Sequence, residues 1–123
     1  ERLNLLDMKS AAGLLTGRHD YRAFAGTMKG RGSTIRTMSR SEVEEQDGFT
    51  IFSFEGQSFL THQVRMMVGS ILQVGMGKMS VEGFGELLRS GKPGAGGPAL
   101  PARGLCLNDI MYRDFPPVRM TLA

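Results

Sequence analysis

One cysteine and two histidines are too few for a Cys-rich zinc site, and a lone thiol cannot close a disulfide within the chain. No His or Cys pair stands at ligand spacing, so no metal is expected. A reducing compartment is the plain reading. The thiol, Cys106, lies in the run Leu105-Cys106-Leu107 and reads as a small core residue rather than a nucleophile. No apolar run approaches the ~20 residues of a membrane span. No secretory or transit signal stands at the start, and there is no block of like charge and no internal repeat. The glycine-rich stretch 94–97 lacks the Lys-Ser/Thr ending of a phosphate-binding loop, which excludes a P-loop. The chain opens on Glu1 without an initiator Met and reads as a fragment or a processed form.

What is present describes one globular domain. The chain has 123 residues, of which 41% are hydrophobic. A domain of this size buries roughly two-thirds of the surface its unfolded chain exposes. Lys plus Arg number 15 against 12 Asp plus Glu, a net charge of +3 that is compatible with RNA contact but decides little. Nine methionines suggest flexible gap-filling in the core.

Apolar residues Met8, Ala11, Ala12, Leu14 and Leu15 recur at helical spacing and predict a helix over 7–16, with Asp7 as its cap and Gly17 in the left-handed position at its end. A polar-aromatic stretch follows from Arg18 to Phe24, then a basic loop with Lys29 and Arg31. Period-2 alternation over 33–45, the turn signal Gln46-Asp47-Gly48 and a second alternating run predict an antiparallel hairpin over 33–54. A second helix is predicted over 59–74, with Leu60, Val64, Met67, Val68 and Ile71 as its apolar stripe, Ser58 as cap, and Gly75 and Gly77 at its end. A third runs over 81–88, between Ser80 and Gly91. Residues 90–101 read as loop, 104–112 as a strand, and 118–120 as a short edge strand. This order gives an α+β fold, an antiparallel or mixed sheet with helices packed on one face.

Three groups of residues could carry chemistry. On the second helix, Ser58, His62, Arg65 and Gly69 form a polar stripe beside the apolar one. Arg65 then sits at the edge of the core, where its five donors want a carboxylate or a phosphate. The alternative is an ordinary surface arginine with a glycine used for packing. His19 and Asp20 could serve acid–base chemistry, or simply form a capped turn after the first helix. Arg36, on a strand with Arg18, Arg22, Arg31 and Arg40 nearby, could contact phosphates while Tyr21 and Phe24 stack on bases. A solvated strand face with two core aromatics is the competing reading.

Four stretches, in order, carry a resemblance. Gly17-Arg18-His19-Asp20-Tyr21-Arg22-Ala23-Phe24 is similar to a G-x-H-D-F-x-x-F region, with Tyr21 in place of Phe. Thr34-Ile35-Arg36-Thr37 resembles a T-x-R-x-I strand, with Met38 in place of the aliphatic residue. The run from Phe59 to Gly69, FLTHQVRMMVG, resembles an F-L-x-H-x-V-R-x-x-V-G helix almost position for position. Pro101-Ala102-Arg103-Gly104-Leu105-Cys106-Leu107 resembles a P-A-x-G-L-x-L strand. Together these resemble the C-terminal half of the TruA family of tRNA pseudouridine synthases, across residues 8 to 112.

The resemblance implies an isomerase of uridine in tRNA that needs no cofactor and no metal. It implies a nucleotide flipped out of the stack, attacked by a carboxylate, and a glycosidic bond re-formed through carbon. It makes Arg65 the arginine that pairs with the catalytic aspartate and keeps it ionised. It places His19, Asp20, Tyr21, Arg22, Arg36 and His62 among the residues that meet RNA. The family's G-R-T-D motif, which carries that aspartate, is absent from this sequence; Asp20 belongs to the separate H-D-F region and is not assigned as the nucleophile. The implied partners are tRNA and the protein's own N-terminal half, with no membrane and the oligomeric state open. The location implied is intracellular, in mitochondria or the cytoplasm and nucleus, with mitochondria favoured by a flavour of animal members. Alternatives are a non-catalytic RNA-binding module of the same fold, and a structural domain without an RNA role.

Overall fold

A computed structural model describes residues 3–25, 33–46, 49–56, 63–92, 105–110 and 117–122. Five strands form one antiparallel sheet: β1 (Gly17–Asp20), β2 (Ile35–Gln46), β3 (Phe49–Gly56), β4 (Leu105–Ile110) and β5 (Pro117–Leu122), in the order β1-β2-β3-β5-β4. Among the described residues three helices accompany it, α1 (Leu5–Leu14), α2 (Gln63–Gly75) and α3 (Val81–Ser90), with a 3-10 turn at Arg22–Phe24. The α+β class expected from the sequence is therefore the observed one.

The long hairpin of β2 and β3 falls where alternation and the turn signal place it, although the turn itself, at 47–48, lies outside the described residues. One register shift lies between Met38 and Arg40. Such a bulge swaps the inward parity of a strand. Before it Met38 faces inward, and after it Ser41 and Val43 do; all three are buried, while Thr37, Ser39, Glu42 and Glu44 are exposed. Phe52 and Phe54 of β3 are fully buried against the same core. The expected edge strand near the C-terminus is β5, which lies inside the sheet between β3 and β4. Pro117 opens the strand, a position that proline tolerates.

Helix ends follow local chemistry. Asn4, not Asp7, caps α1: its side-chain oxygen accepts from the Asp7 amide at 3.1 Å, and Asp7 sits in the first turn, where a carboxylate suits the helix dipole. Gly17 is left-handed as expected (φ +107°), but it opens β1 rather than ending α1, which closes on Leu15 in the right-handed region. Of the predicted α1 stripe, Met8, Ala11, Ala12 and Leu15 are fully buried and Leu14 is 39% exposed. The described part of α2 begins at Gln63; Ser58, Leu60 and His62 lie outside the described residues, as do Lys29 and Arg31, the stretch 93–104 and the side chain of Cys106. At the far end of α2, Lys78 N–H donates to the Gln73 carbonyl at 2.9 Å and Gly77 N–H to that of Val74 at 3.0 Å, with Gly77 at φ +78°. This is the Schellman closure that a glycine one residue past the cap permits. Ser80 caps α3 through the Gly83 amide at 2.9 Å, and Gly91 ends it at φ +64°.

The helices meet where side chains are small. A Cβ placed on Gly75 would lie 2.5 Å from Met8 Sδ and 2.8 Å from its Cγ. Met8 is fully buried and has nowhere to go, and the Gly75 carbonyl also accepts the Asn4 amide at 2.9 Å. Gly75→Ala is therefore expected to destabilise the fold by about 1–3 kcal/mol through overpacking of α1 on α2. A urea melt should show a lower midpoint with an unchanged slope.

Candidate functional site

The short strand β1 and the start of β2 build a polar corner. His19 stands opposite Arg36, Arg18 opposite Thr37 and Asp20 opposite Ile35. Side chains alternate along β1, so Arg18 and Asp20 are exposed while His19 is half-buried. Asp20 Oδ1 accepts from the Arg22 amide at 3.1 Å and from the Thr34 hydroxyl at 2.5 Å. Those bonds, with Tyr21 N–H donating to the Thr34 carbonyl at 3.1 Å, fix the chain as it leaves β1, with Arg22 exposed on the surface. Thr34 was legible only as one position of a strand motif. Nothing in the sequence signals that its hydroxyl locks Asp20.

Arg36 is half-buried on the inward side of β2, two residues from buried Met38. Its Nη1 donates to the Ser33 carbonyl at 2.6 Å and to its neighbour Ile35 at 2.9 Å. Its Nε is buried with no hydrogen-bond partner among the described residues. The guanidinium is thus oriented by backbone carbonyls rather than by an acid among the described residues. Arg40 differs. Glu42 at 2.8 Å and Glu55 at 3.2 Å both hold it, and their hydrogen bonds, Glu42 first, push its pKa further up. Arg40 is thus engaged internally, whereas Arg18, Arg22 and Arg36 have no acid partner in an ion pair among the described residues and Arg31 lies outside them.

His19 and Asp20 do not form a dyad, because neighbours on a strand point to opposite faces. His19 Nε2 lies 2.9 Å from the Thr16 carbonyl. A carbonyl only accepts, so Nε2 carries a proton and donates it. The ring meets the edge of Tyr21 at 5.7 Å and 80°.

Tyr21 requires a correction. The expectation that it and Phe24 stack on bases fails on burial: both are fully buried, and Phe24 packs on Phe84 with ring centroids 5.7 Å apart. The Tyr21 hydroxyl reaches the Leu15 carbonyl at 2.5 Å and the Gly17 carbonyl at 3.0 Å. Burial pushes its phenol well above the usual tyrosine range. Tyr21 is a core pin between α1 and β1, with no face open to a base.

Arg65 sits in the first described turn of α2, half-buried, and among the described residues none forms an ion pair with it. Gln63, two residues earlier, aims its amide at the sulfurs of Met38 (3.8 Å) and Met67 (3.7 Å). Two residues turn a helix by about 200°, so Arg65 points away from β2 and from the Arg36 corner. The pairing of β1 with β2 sets His19 opposite Arg36, and among the described residues no ion pair joins Arg65 to an acid. His62 lies outside the described residues. Among the described residues no three His, Cys, Asp or Glu side chains converge as metal ligands would, and no helix is long and apolar enough to cross a membrane.

Comparison with known proteins agrees with this reading of the sequence. A family model described as tRNA pseudouridine synthase matches residues 11–113. The tRNA pseudouridine synthase A of Streptococcus mutans is 39% identical over 109 residues, covering 87% of this chain and 44% of that protein. Its namesake in Chloroflexus aurantiacus is 40% identical over 114 residues, covering 89% and 41%. That of Myxococcus xanthus is 36% identical over 118 residues, covering 95% and 44%. The chain spans less than half the length of these curated relatives. It belongs to the tRNA pseudouridine synthase A, or TruA, family.

Proposed function

We propose that this chain is the C-terminal part of an enzyme that isomerises uridine to pseudouridine in tRNA. In this reading it supplies one wall of the RNA cleft and an arginine for the active site, while the nucleophilic aspartate belongs to the N-terminal half. The observation that carries the proposal is Arg65: a half-buried guanidinium on the best-matching motif, with no carboxylate paired to it among the described residues. A half-buried guanidinium that no described acid satisfies calls for an acid from elsewhere. Pairing would hold that acid ionised, as a nucleophile must be. The reaction is an isomerisation: the bond from the sugar to N1 breaks, the base turns, a bond from the sugar to C5 forms, the C5 proton leaves and N1 takes up a proton, with no net redox change. No cofactor is required.

His19, Asp20, Arg22 and Arg36 then form an RNA-binding corner apart from the chemistry. Asp20 positions the strand exit, and Arg22 and Arg36 meet phosphates. Tritium release from tRNA carrying 5-tritiated uridine is the assay. Release by the full-length protein is the expected result, and no release would favour a non-catalytic RNA-binding module. In the same protein, Arg36→Ala should weaken tRNA binding and lower the slope of log K against log salt by about 1, with kcat little changed.

A further inference from the structure

A short run of ties sets the place of Arg36. Its Nη1 donates to the carbonyls of Ser33 at 2.6 Å and Ile35 at 2.9 Å, the residues on either side of Thr34. The Ile35 amide donates back to Ser33 Oγ at 3.0 Å, so this stretch closes on itself. The β1–β2 ladder pairs Ile35 with Asp20 and Arg36 with His19. Ser33, whose carbonyl takes the shorter bond from Arg36, lies beyond the last of those pairs.

Thr34 joins that stretch to the end of β1 by two bonds. Its carbonyl accepts the Tyr21 amide at 3.1 Å, and its hydroxyl donates to Asp20 Oδ1 at 2.5 Å. Tyr21 is fully buried, so the backbone bond ends on a fixed point of the core. The same Asp20 oxygen accepts the Arg22 amide at 3.1 Å, which holds the carboxylate in place for Thr34. A hydroxyl on a carboxylate is a charge-assisted bond, stronger than its neutral counterpart. What fixes Thr34 therefore fixes the two carbonyls on which the Arg36 guanidinium rests.

Charge gives the sign that separates two roles for Asp20. It is an exposed carboxylate one ladder position from Arg36. By charge alone it opposes phosphate binding there, and its loss should strengthen that binding. Its hydrogen bonds act the other way, because they hold the strand end that orients Arg36. Resting on the reading that Arg36 meets a tRNA phosphate, we propose that Thr34, through its hydroxyl on Asp20, is a positioning residue for that contact. Neither Thr34 nor Asp20 touches the RNA in this role. An arginine whose rotamer is set before the encounter loses less freedom on binding. Asp20 then acts as a hydrogen-bond acceptor and not as a charge.

The experiment measures tRNA affinity at one fixed salt concentration, with tritium-release kinetics, in the full-length protein. Thr34→Val keeps the β-branched shape and removes the hydroxyl. It should weaken tRNA binding about three- to tenfold and raise KM to match, with kcat within about twofold of the parent. Thr34→Ser keeps the hydroxyl and should restore binding. Asp20→Asn keeps Oδ1 as an acceptor and should bind at least as well as the parent. Asp20→Ala should bind about three- to tenfold more weakly, against the sign that charge alone gives. In an Arg36→Ala background, Thr34→Val should add less than about a twofold loss, because the group it positions is gone. The positioning role is overturned by parental affinity in Thr34→Val, by Thr34→Ser as weak as Thr34→Val, by Asp20→Ala tighter than the parent, or by a Thr34→Val loss that persists in full without Arg36. Parental affinity in Arg36→Ala overturns instead the phosphate reading of Arg36, so the two failures give different results.

Discussion

Arg65→Ala in the full-length protein should lower kcat for tritium release by at least about a hundredfold, the usual scale for removing a preorganised group that stabilises charge at a reacting centre. The fold should survive the change. No described acid pairs with Arg65, so its removal strands no carboxylate among the described residues. Its half-buried place on α2 loses aliphatic packing but opens no deep cavity, because the core positions of that helix are Met67, Val68 and Ile71. A melting temperature within a degree or two of the parent, with turnover gone, is the pattern that assigns Arg65 to chemistry. Arg65→Lys keeps the charge but loses the planar fork, and should recover only part of the rate. Full activity in Arg65→Ala would remove the active-site role altogether. A large loss of stability with proportionate loss of rate would make Arg65 a structural residue.

The helices and the hairpin were legible because each rests on local signals: period, caps and glycines at the right offsets. α3 shows this best, since Ser80 and Gly91 both point one way and both hold. What could not be read depends on contacts between distant segments. The bulge after Met38 leaves no mark in composition, yet it decides that Ser41 rather than Arg40 turns inward. Strand order is equally non-local. The short C-terminal run looked like an edge, but pairing with β3 on one side and β4 on the other makes it interior. The site divides the same way. The arginines were found by type and spacing. Their sorting into an engaged Arg40 and an available Arg36 needed the positions of Glu42 and Glu55, and the second of these comes from the other strand of the hairpin. An aromatic beside basic residues suggests stacking in any sequence, and only the burial of Tyr21 reveals that its partners are backbone carbonyls.

Tyr21 should therefore matter for stability and not for RNA. Tyr21→Ala removes a fully buried ring from the junction of α1, β1 and the 3-10 turn, and should cost about 3–5 kcal/mol, as for other large-to-small aromatic truncations. In a small domain that is a large part of the total, and the variant should be largely unfolded at modest urea concentrations. Tyr21→Phe isolates the hydroxyl. It keeps the packing but leaves the Leu15 and Gly17 carbonyls without their donor, an expected loss of about 1–3 kcal/mol. Its pH dependence carries a second signature. The folded phenol titrates above its ordinary value of 10.0, so the folded state holds this proton more tightly than the unfolded state does. Stability from that group is complete below the ordinary value and drains away as pH rises beyond it. The parent should thus unfold progressively in alkali, and Tyr21→Phe should lose stability less steeply over the same range. Both can be read from urea midpoints at a series of pH values. If instead Tyr21→Phe weakens tRNA binding while its midpoint is unchanged, the ring belongs to the RNA interface and not to the core.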